Sequence, residues 1–550
     1  MDKMMTGMDI KPSGDVDSDF AGMMIPHHQG AIEMAQAELR HGHDERLRRI
    51  AQEIVVEQQQ EIAAMSLAMD HPAPPGESPQ ERPSEQTVGD AGAPGIPVSH
   101  RDRVYAAEQF SNTVSVTDPA DNKLLGLIRL GEPSPANFSP LYQGQVLVHG
   151  LGYSPDHRTL VVVSIGSNAV TFVDTATNAV KHTTYVGRSP HEAFFTPDGR
   201  EVWVTVRGEN YVAVLDGVTY AEKTRIILPN GPGMQAFSPD GAYGYVCSSF
   251  NPETDVVSVR DHRIVGKVLQ ASPFCPNIAA TPDGSQVWFT LKDIGKTQVF
   301  SAKPPFSLLK TLDTGPITNH VNIVRNARGM FAYVTVGGLN EVQVFRTDDF
   351  SKVAAIQVGK LPHGVWPSGD GSRVYVGLEN DDALIAIDTI ANKVIASVHI
   401  GQAPQAVVYV PNAATEAAST AGLQPLGPAG EAAHFVMTAA GPDAKAGPRA
   451  PTSVALFDQG LVQVLEAAAT GLKPKSPYVL GLSERADGSG PLQVLAGFQT
   501  NPAGSAIVNA IGPIRQVVQG TPAAPQRRYL VIAPGTPSDH RAPIQVQAER

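Results

Sequence analysis

The sequence lacks the features that mark membrane proteins and nucleic-acid-binding proteins. Its 550 residues contain no long apolar run, because stretches such as residues 389–400 are short and broken by polar residues, so no transmembrane helix is expected. Only 17% of the residues are charged, the formal net charge is -12, and lysines and arginines form no run. A basic surface for nucleic acid or for an anionic membrane is therefore excluded, and metal, small-molecule or protein partners are expected.

Cysteine is also scarce. Cys247 and Cys275 either pair in an oxidising compartment or stay free as small buried hydrophobic residues. No secretory apolar segment follows Met1, which leaves a cytoplasmic protein or a mature chain whose signal has been removed. These observations do not decide the compartment.

The length predicts a modular protein, since 550 residues exceed what one hydrophobic core organises. Two stretches rich in proline, glycine and alanine mark boundaries between segments. We predict a multidomain, mainly β fold in five segments: an N-terminal α-helical hairpin at 1–72, a linker at 73–100, a seven-bladed β-propeller at 101–412, a second linker at 413–451 that contains a strand at 434–438, and a small C-terminal β-sandwich at 452–550.

A repeated turn motif predicts the propeller. Asp-Gly supplies the positive φ angles of tight hairpin turns, and each motif is followed by an alternating strand such as residues 201–206. Seven copies, two of them degenerate, lie 42 to 45 residues apart, the spacing of four-stranded blades. The clearest copies are Ser154-Pro155-Asp156, Thr196-Pro197-Asp198-Gly199, Ser238-Pro239-Asp240-Gly241, Thr281-Pro282-Asp283-Gly284 and Ser368-Gly369-Asp370-Gly371.

The two ends of this region predict ring closure. Residues 103–130 supply the last three strands of a blade, while residues 404–410 supply one first strand. Pairing these strands closes a ring of seven blades and removes both free sheet edges. The repeats, with Asn168-Ala169-Val170-Thr171-Phe172-Val173-Asp174 as a typical piece, resemble the YVTN-type family of bacterial surface and periplasmic propellers. That resemblance implies a fold but no chemistry.

The C-terminal segment contains six alternating apolar stretches separated by turns, at 453–457, 462–465, 478–482, 492–498, 506–511 and 529–532. This pattern predicts the β-sandwich, for which we expect an accessory or docking role.

Methionine and histidine are concentrated at the N-terminus, where nine of the 12 methionines lie within the first 70 residues. Phe20, Met23, His27, Ala31 and Met34 recur at steps of three and four and predict one face of a helix, in which the proline of the Met-Met-x-Pro-His-His run should cause a kink. Thioether and imidazole together suit Cu(I), and by the same softness Ag(I), although methionine alone would be read as core packing.

A family resemblance supports the metal interpretation. Asp-Phe-x-x-Met-Met-x-Pro-His-His-Gln-x-Ala from Asp19, followed by Gln-x-x-Glu-Ile-x-x-Met from Gln58, resembles the ferritin-like family of uncharacterised His/Met helical domains, some of them periplasmic copper or silver binders. The resemblance implies a copper site and a periplasmic or extracellular location, with the cytoplasm less favoured. The implied ligands are Met23, Met24, His27 and His28, with Glu61 and Met65 opposite. So short a hairpin should pair with a second copy, as a homodimer, or dock on the propeller.

Histidines also recur in the propeller. Counting back seven residues from each turn aspartate, or from its degenerate counterpart, reaches the start of each innermost strand, at His149, His191, Gly233, Pro276, Val321, His363 and Gln405. His320, one residue out of this register, is a further candidate ligand of uncertain orientation. In each blade the second strand should end at the mouth of the propeller where the first strand begins. The rim of this mouth should therefore carry Glu108, Arg207, Glu209, Cys247 and Glu379. This set predicts either a second metal site or a wet polar mouth.

Three functions fit these features. The first is a copper-binding protein whose hairpin captures the ion, with the propeller as a second site or a platform for docking and a metal-transfer protein as a further partner. The second is an enzyme in the propeller mouth, either metal-dependent or a lactonase-like hydrolase that uses Glu209, Arg207 and histidine. The third is a surface scaffold without chemistry. We favour the first, a periplasmic or secreted copper-binding protein, over an enzyme.

Overall fold

A computed structural model describes residues 13–41, 96–131, 146–229, 231–417, 419–440, 452–459, 462–512 and 528–548. The chain divides into two compact units. The first contains one described helix, α1 (Val16–His41), and the second contains the propeller and the C-terminal sheet. The predicted second helix of the hairpin, with Glu61 and Met65, lies outside the described residues. Within the described residues, no helix combines the length and the apolar character needed to span a lipid bilayer.

The predicted propeller is present as seven four-stranded antiparallel sheets. Blades 1 to 3 comprise β4 (Val148–Tyr153), β5 (Thr159–Ser164), β6 (Ala169–Asp174), β7 (Val180–Tyr185), β8 (Pro190–Phe195), β9 (Glu201–Val206), β10 (Tyr211–Asp216), β11 (Glu222–Ile227), β12 (Pro232–Phe237), β13 (Tyr243–Ser248), β14 (Glu253–Ser258) and β15 (Arg263–Leu269).

Blades 4 to 6 repeat the same order of strands. They comprise β16 (Ile278–Ala280), β17 (Gln286–Leu291), β18 (Lys296–Ser301), β19 (Leu308–Asp313), β20 (Thr318–Asn326), β21 (Gly329–Val336), β22 (Glu341–Arg346), β23 (Lys352–Gln357), β24 (Pro362–Pro367), β25 (Arg373–Leu378), β26 (Ala383–Asp388) and β27 (Lys393–His399). In most blades the second and third strands are buried along nearly their whole length, whereas the fourth strands are largely exposed.

The turn motif works through its side chains as well as through glycine. Gly199 has φ +70°, a conformation that a residue with a Cβ rarely adopts. The Thr196 hydroxyl donates a hydrogen bond of 2.6 Å to Asp198 Oδ1, which also accepts one from the Arg200 backbone N–H. Ser238 and Asp240 repeat this contact in the next blade. Each motif therefore fixes the hairpin between the first and second strands of its blade.

Blade 7 closes the ring as the sequence predicts. It joins β28 (Pro404–Val410) to β1 (Arg103–Glu108), β2 (Thr113–Asp118) and β3 (Lys123–Arg129). β28 pairs antiparallel with β1, with Arg103 opposite Val410. The buried carboxylate of Asp102 extends this junction, because it accepts hydrogen bonds from the Tyr409 hydroxyl and from the Asn412 N–H.

Glu108 is a buried acid at this closure. Its Oε1 accepts a 2.9 Å hydrogen bond from the Gly401 N–H, and its Oε2 accepts one from the Thr113 hydroxyl. Burial raises the pKa of Glu108 from 4.5 to about 7, against the opposing effect of these donors. Glu108 is the last residue of β1, and its carboxylate is enclosed by Gly401 and Thr113. Its side chain does not lie on the axial rim that we predicted from the sequence.

The raised pKa of Glu108 predicts a pH-dependent closure. Because the folded state holds the proton more tightly, the stabilisation is complete below about pH 4.5 and is lost as the pH rises through about 7. At about 1.4 kcal/mol per pKa unit, this loss amounts to about 3 kcal/mol. We expect the free energy of unfolding, measured between pH 5 and pH 9, to fall less in Glu108→Gln than in the wild type. Equal slopes for the two proteins would contradict this assignment.

The C-terminal segment forms one nine-stranded antiparallel sheet that curls into a barrel-like, sandwich-like domain. Each of the six predicted strands lies within an observed strand. A further strand, β29, lies in the range predicted as a linker, where residues 434–438 suggested it. The strands are β29 (Ala432–Ala439), β30 (Thr452–Gln459), β31 (Val462–Ala469), β32 (Pro477–Ser483), β33 (Leu492–Gln499), β34 (Ala506–Gly512), β35 (Tyr529–Thr536), β36 (Asp539–His540) and β37 (Gln545–Gln547).

Candidate functional site

The innermost strands carry β-bulges at the level of the candidate histidines. In β4, β8, β20 and β24, the regular register is interrupted between the first residue of the strand and the residue three positions later. Two consecutive residues lie within each bulge, and bulges commonly redirect side chains near functional sites. These pairs are His149 with Gly150, His191 with Glu192, Asn319 with His320, and His363 with Gly364.

The register in blade 5 corrects the sequence count. Thr318 pairs with Val336 and Val321 with Val334, so Asn319 holds the position of His149, and His320 holds the position of Glu192. Counting seven residues back gave Val321 because β20 extends to Asn326 and the turn after it is shorter than in the other blades.

The structure brings four histidines together in the ring. His149 Nε2 and His191 Nε2 are 3.0 Å apart. The ring centroids of His149 and His363 are 6.3 Å apart, and those of His320 and His363 are 4.6 Å apart. All four side chains are buried, with 5 to 8% of each residue exposed. The candidate histidines of the propeller therefore form one cluster, which we call the histidine cluster.

Two of these rings are oriented by a hydrogen bond at Nδ1. His363 Nδ1 lies 2.7 Å from the Gln405 carbonyl oxygen, which can only accept, so this nitrogen carries the proton. His149 Nδ1 lies 3.3 Å from Gln109 Oε1, which accepts in the same way. In a neutral imidazole the other nitrogen, Nε2, then holds the lone pair. Both rings are thus fixed in a form that can bind a metal ion through Nε2.

The histidine cluster is neutral at physiological pH. Burial is the main cause that lowers the pKa of His149, His191 and His320 well below the usual value. The pKa of His363 falls to about 3, again mainly through burial. Neighbouring positive charges, including those of the other histidines, act in the same direction. Because metal ions bind neutral imidazole, all four rings are in the ligand form.

Glu192 adds a carboxyl group to the histidine cluster. Its Oε1 is 4.0 Å from His191 Nδ1, and the ligand atoms of His149, His191 and Glu192 all lie within 4.8 Å of one another. Burial raises the pKa of Glu192 to about 8. A Cβ on Gly150 would come within 2.6 Å of Glu192 Oε2 and 2.4 Å of the His191 carbonyl oxygen. Glycine at position 150 is therefore needed for this close approach.

The donor set fits a metal ion. His191 Nδ1 and His320 Nε2 are buried and have no hydrogen-bond partner among the described residues. Such orphaned atoms are costly unless something satisfies them. The 3.0 Å between His149 Nε2 and His191 Nε2 is within the span of two metal–nitrogen bonds, about 4 Å. Imidazole with one carboxylate, which Glu192 provides once it loses its proton, suits copper, zinc, iron or nickel.

Charged residues stand on the rim above the histidine cluster. Arg207 follows β9, Lys292 follows β17 and Glu379 follows β25, the same position in three blades. Burial lowers the pKa of both Arg207 and Lys292, and the carboxylate of Glu379 opposes this effect at Lys292. The sequence analysis placed Arg207 and Glu379 here but missed Lys292, which the same rule would have found.

Three other residues predicted on this rim lie elsewhere. Glu209 forms an ion pair of 3.0 Å with Arg188, outside the histidine cluster. Glu108 lies in β1, and Gln109 takes the position that corresponds to Arg207. Cys247 forms a disulfide with Cys275, with Cα atoms 6.0 Å apart, in the core between blades 3 and 4. The hydrolase set of Glu209, Arg207 and histidine is therefore not assembled.

The C-terminal sheet covers this mouth of the propeller across blades 4 to 7. Phe457 packs on Phe110 with ring centroids 4.4 Å apart. Asn380 Nδ2 donates a 3.0 Å hydrogen bond to Ser453 Oγ, and His434 Nε2 lies 3.0 Å from Asp382 Oδ2. Further contacts join Ala503 to Asp293, and Ala468 to Ile317 and Leu361. We call this sheet the lid.

One acid of the lid reaches the rim. Glu466, in β31, is buried and shares a hydrogen bond with Glu379. Burial first, and the charge of Glu379 second, raise the pKa of Glu466 well above its usual value, which favours one proton shared by the pair. Glu379 also accepts a 2.7 Å hydrogen bond from Gln405 Nε2. Glu379 is thus linked through Gln405 to His363, which bonds the Gln405 carbonyl.

Helix α1 carries the other predicted ligands. Met23 and His27 lie one turn apart, as do Met24 and His28, and the two imidazole rings are 5.7 Å apart. His28 Nδ1 is 2.8 Å from the Met24 carbonyl oxygen, which leaves the lone pair on Nε2. His27 Nδ1 is buried without a hydrogen-bond partner among the described residues.

The buried face of α1 is shifted by one residue from the face that we predicted. Ala21, His28, Ile32 and Ala35 are buried. Phe20, Met23 and Met34 are exposed, with Met23 at 41%. Pro26 lies inside the helix, which continues through it, and its missing N–H leaves the carbonyl four residues earlier without a helical donor.

Comparisons with known proteins match parts of the chain. Residues 1–69 match a family described as a domain of unknown function, DUF305. No functionally curated protein matches the sequence. Among solved structures, the chain is similar to Kuenenia stuttgartiensis hydrazine synthase, with 19% identity, 48% of this chain and 90% of that chain covered, and a TM-score of 0.44.

A second similar structure is a functionally unknown protein from Desulfotomaculum acetoxidans DSM 771. It shares 16% identity, covers 56% of this chain and 98% of its own, and gives a TM-score of 0.47. At these values neither similarity supports a functional inference.

Proposed function

We propose that this protein binds copper at two places, helix α1 and the histidine cluster of the propeller. The observation that carries the proposal is the approach of four buried, neutral histidines, two of them with Nε2 atoms 3.0 Å apart, around donor atoms that lack partners. His149, His191 and Glu192 would hold the ion, with His363 and His320 beside them.

The two places suit different tasks. Met23, Met24, His27 and His28 offer soft donors on a partly exposed helix, which favours capture of Cu(I) or Ag(I). The propeller offers imidazole and carboxylate in a buried site, which favours retention. A bound ion there supplies positive charge and Lewis acidity, while the chain's own residues exclude water and hold the imidazoles neutral. Because both sites belong to one chain, each would raise the effective concentration of the ion for the other.

Location and partners follow from the same proposal. The disulfide between Cys247 and Cys275 supports a periplasmic or extracellular protein, since such bonds persist in oxidising compartments. The exposed Phe20, Met23 and Met34 would offer a surface for a metal-transfer protein or a second copy of the chain. An enzyme remains the alternative, which the paired acids Glu379 and Glu466 beside Lys292 favour.

Metal binding by α1 can be tested on the full chain. We expect anaerobic titration to give Cu(I) binding that is tighter than Zn(II) binding at this helix, because methionine sulfur prefers the softer ion. Replacing Met23 by Leu and His27 by Ala together should lower the Cu(I) affinity of α1 by more than about 100-fold. Removing a residue that merely hydrogen-bonds a metal ligand already costs about 10–100-fold.

The matched control replaces Met34 by Leu and His41 by Ala, an exposed methionine and histidine of the same helix. This variant should titrate like the wild type. Full Cu(I) affinity in the variant at positions 23 and 27 would remove α1 from the proposal.

A further inference from the structure

An axial channel runs from the histidine cluster toward the opposite mouth of the propeller. Glu192, Met234, Asn277 and His320 line its inner end. Its outer end lies among the prolines of the turn motifs, at positions 155, 197, 239 and 282. The lid covers the other mouth across blades 4 to 7, whereas this channel opens at the uncovered mouth and gives an approach to the histidine cluster.

The wall of the channel is apolar and aromatic. Phe194, Asn322 and Trp366 hold equivalent positions in three blades and line the wall, and Tyr153 meets Trp366 edge to face with ring centroids 6.1 Å apart. Outward of Glu192 at the inner end, none of the described residues that line the channel is a lysine, arginine, aspartate or glutamate. A charged molecule would therefore find no counter-ion along this part of the wall, and burying its charge there would be unfavourable.

The size of the channel sets the size of its occupant. Its volume is about 190 Å³. An apolar cavity of about 150 Å³ is enough to hold benzene. Flat rings also pack well against aromatic side chains in edge-to-face and offset geometry. One ring with a short substituent therefore fits, whereas a fused-ring or polymeric molecule does not.

Polar groups are confined to particular points of the channel. Gln235 donates through Nε2 to the Trp203 carbonyl oxygen, and its buried Oε1 has no partner among the described residues. His320 Nε2, at the inner end, is likewise buried without a partner. A hydroxyl group could donate to one of these atoms. The channel thus combines an apolar wall with unsatisfied acceptor atoms, which is typical of small-molecule sites.

We propose that the axial channel binds a small, uncharged, single-ring aromatic molecule that carries a hydroxyl group, oriented with the hydroxyl toward Gln235 or His320. This inference goes beyond the proposed copper sites, since binding in the channel requires no ion. It places the ring of the ligand beside Trp366 and its polar end next to the histidine cluster.

Three probes that differ in charge test the proposal on the full chain without metal: 4-fluorobenzyl alcohol, 4-fluorobenzoate and 4-fluorobenzylammonium. We expect fluorine NMR at pH 7 to show line broadening and saturable binding of the alcohol. The two charged probes should bind at least about tenfold more weakly, a difference of about 1.4 kcal/mol. Equal binding of all three probes, or no binding of the alcohol, would overturn the proposal.

A variant in which a larger side chain fills the channel provides a second test. Ala236 is only partly buried and occupies the position in blade 3 that Phe194 holds in blade 2. Ala236→Phe should therefore reduce binding of the alcohol at least about tenfold. The matched control is Ala391→Phe, in an exposed turn of blade 6, which should bind like the wild type. Unchanged binding in a folded Ala236→Phe protein would place the probe outside the channel.

These results are separate from the test of copper binding. Failure of the alcohol to bind a protein that still takes up copper would reject the channel proposal alone. Loss of copper binding with the alcohol still bound would reject the metal proposal alone.

Discussion

Replacing His149 and His191 together by alanine is expected to remove the metal ion from the propeller. The two Nε2 atoms are 3.0 Å apart and belong to the same ligand group as Glu192. Their loss takes away two of the three donors. The metal affinity should fall by more than about 100-fold, because removing a residue that merely hydrogen-bonds a metal ligand already costs about 10–100-fold. After dialysis against a chelator, metal analysis of the full chain should find fewer metal ions per chain than in the wild type. The difference should be the one ion that we propose for the propeller.

The control for this experiment is His182→Ala. His182 lies on the exposed fourth strand of blade 1, in the same blade as His149 but outside the histidine cluster. It should retain the wild-type metal content. If the double variant stays folded by circular dichroism and keeps the full stoichiometry, the histidine cluster is not a metal site.

Phe457→Ala is expected to detach the lid from the propeller without unfolding either. Phe457 is fully buried and packs on Phe110 at the centre of an apolar contact that includes Ala403. Truncating a buried phenylalanine costs about 3–5 kcal/mol, which includes the cavity that is left. Since about 1.4 kcal/mol is a factor of ten, the population of the open form should rise by roughly 100-fold or more.

Hydrogen exchange can measure this opening. The amide of Ala503, in the lid, donates a hydrogen bond to the carbonyl oxygen of Asp293 in the propeller, so this bond breaks when the lid opens. Its exchange should accelerate by about the same factor as the open population. Amides deep in β5, which lie away from the lid, should not change.

Phe498→Ala is the matched control for the lid. Phe498 stacks on Tyr478 within the C-terminal sheet and packs, partly buried, against the core of that domain. Its loss should loosen the sheet while the Ala503 amide, which bonds Asp293 of the propeller, keeps its protection. If the two phenylalanine variants affect the rim equally, Phe457 has no special part in holding the lid.

Local chemistry explains why the propeller could be predicted from sequence. A turn of the same kind joins the first and second strands of blades 1 to 6, in degenerate form in blade 5, and the motif around Thr196 and Asp198 forms its hydrogen bonds within a few residues. Ring closure could be predicted because a first strand at the end of the region and three strands at its start are complementary. These signals need no knowledge of distant contacts.

The histidine cluster could be predicted only in part. His149, His191 and His363 follow from counting because their blades share the length of the first hairpin. The count failed at blade 5, where the first strand and its turn have different lengths, and a bulge still directs His320 toward His363. Bulges leave no clear mark in one sequence, which is also why Glu192 was missed.

The lid could not be placed from sequence at all. Glu466 lies in an alternating strand with no local feature that distinguishes it from other polar residues of that sheet. Its role depends on how a separate domain packs on the propeller, through Phe457, Ser453 and His434. Such packing is set by the complementary shapes of two folded surfaces.

The ring closure in blade 7 also orders events during biosynthesis. Asp102 and Tyr409, which meet at the closure, are 307 positions apart. At about 5–20 residues per second, β1 leaves the ribosome on the order of 15–60 seconds before its partner β28 exists. Through that interval the nascent chain carries an unpaired strand edge, which invites association with other chains. The three proposed ligands His149, His191 and Glu192 all lie in blades 1 and 2, so this group is complete in the nascent chain long before the ring closes.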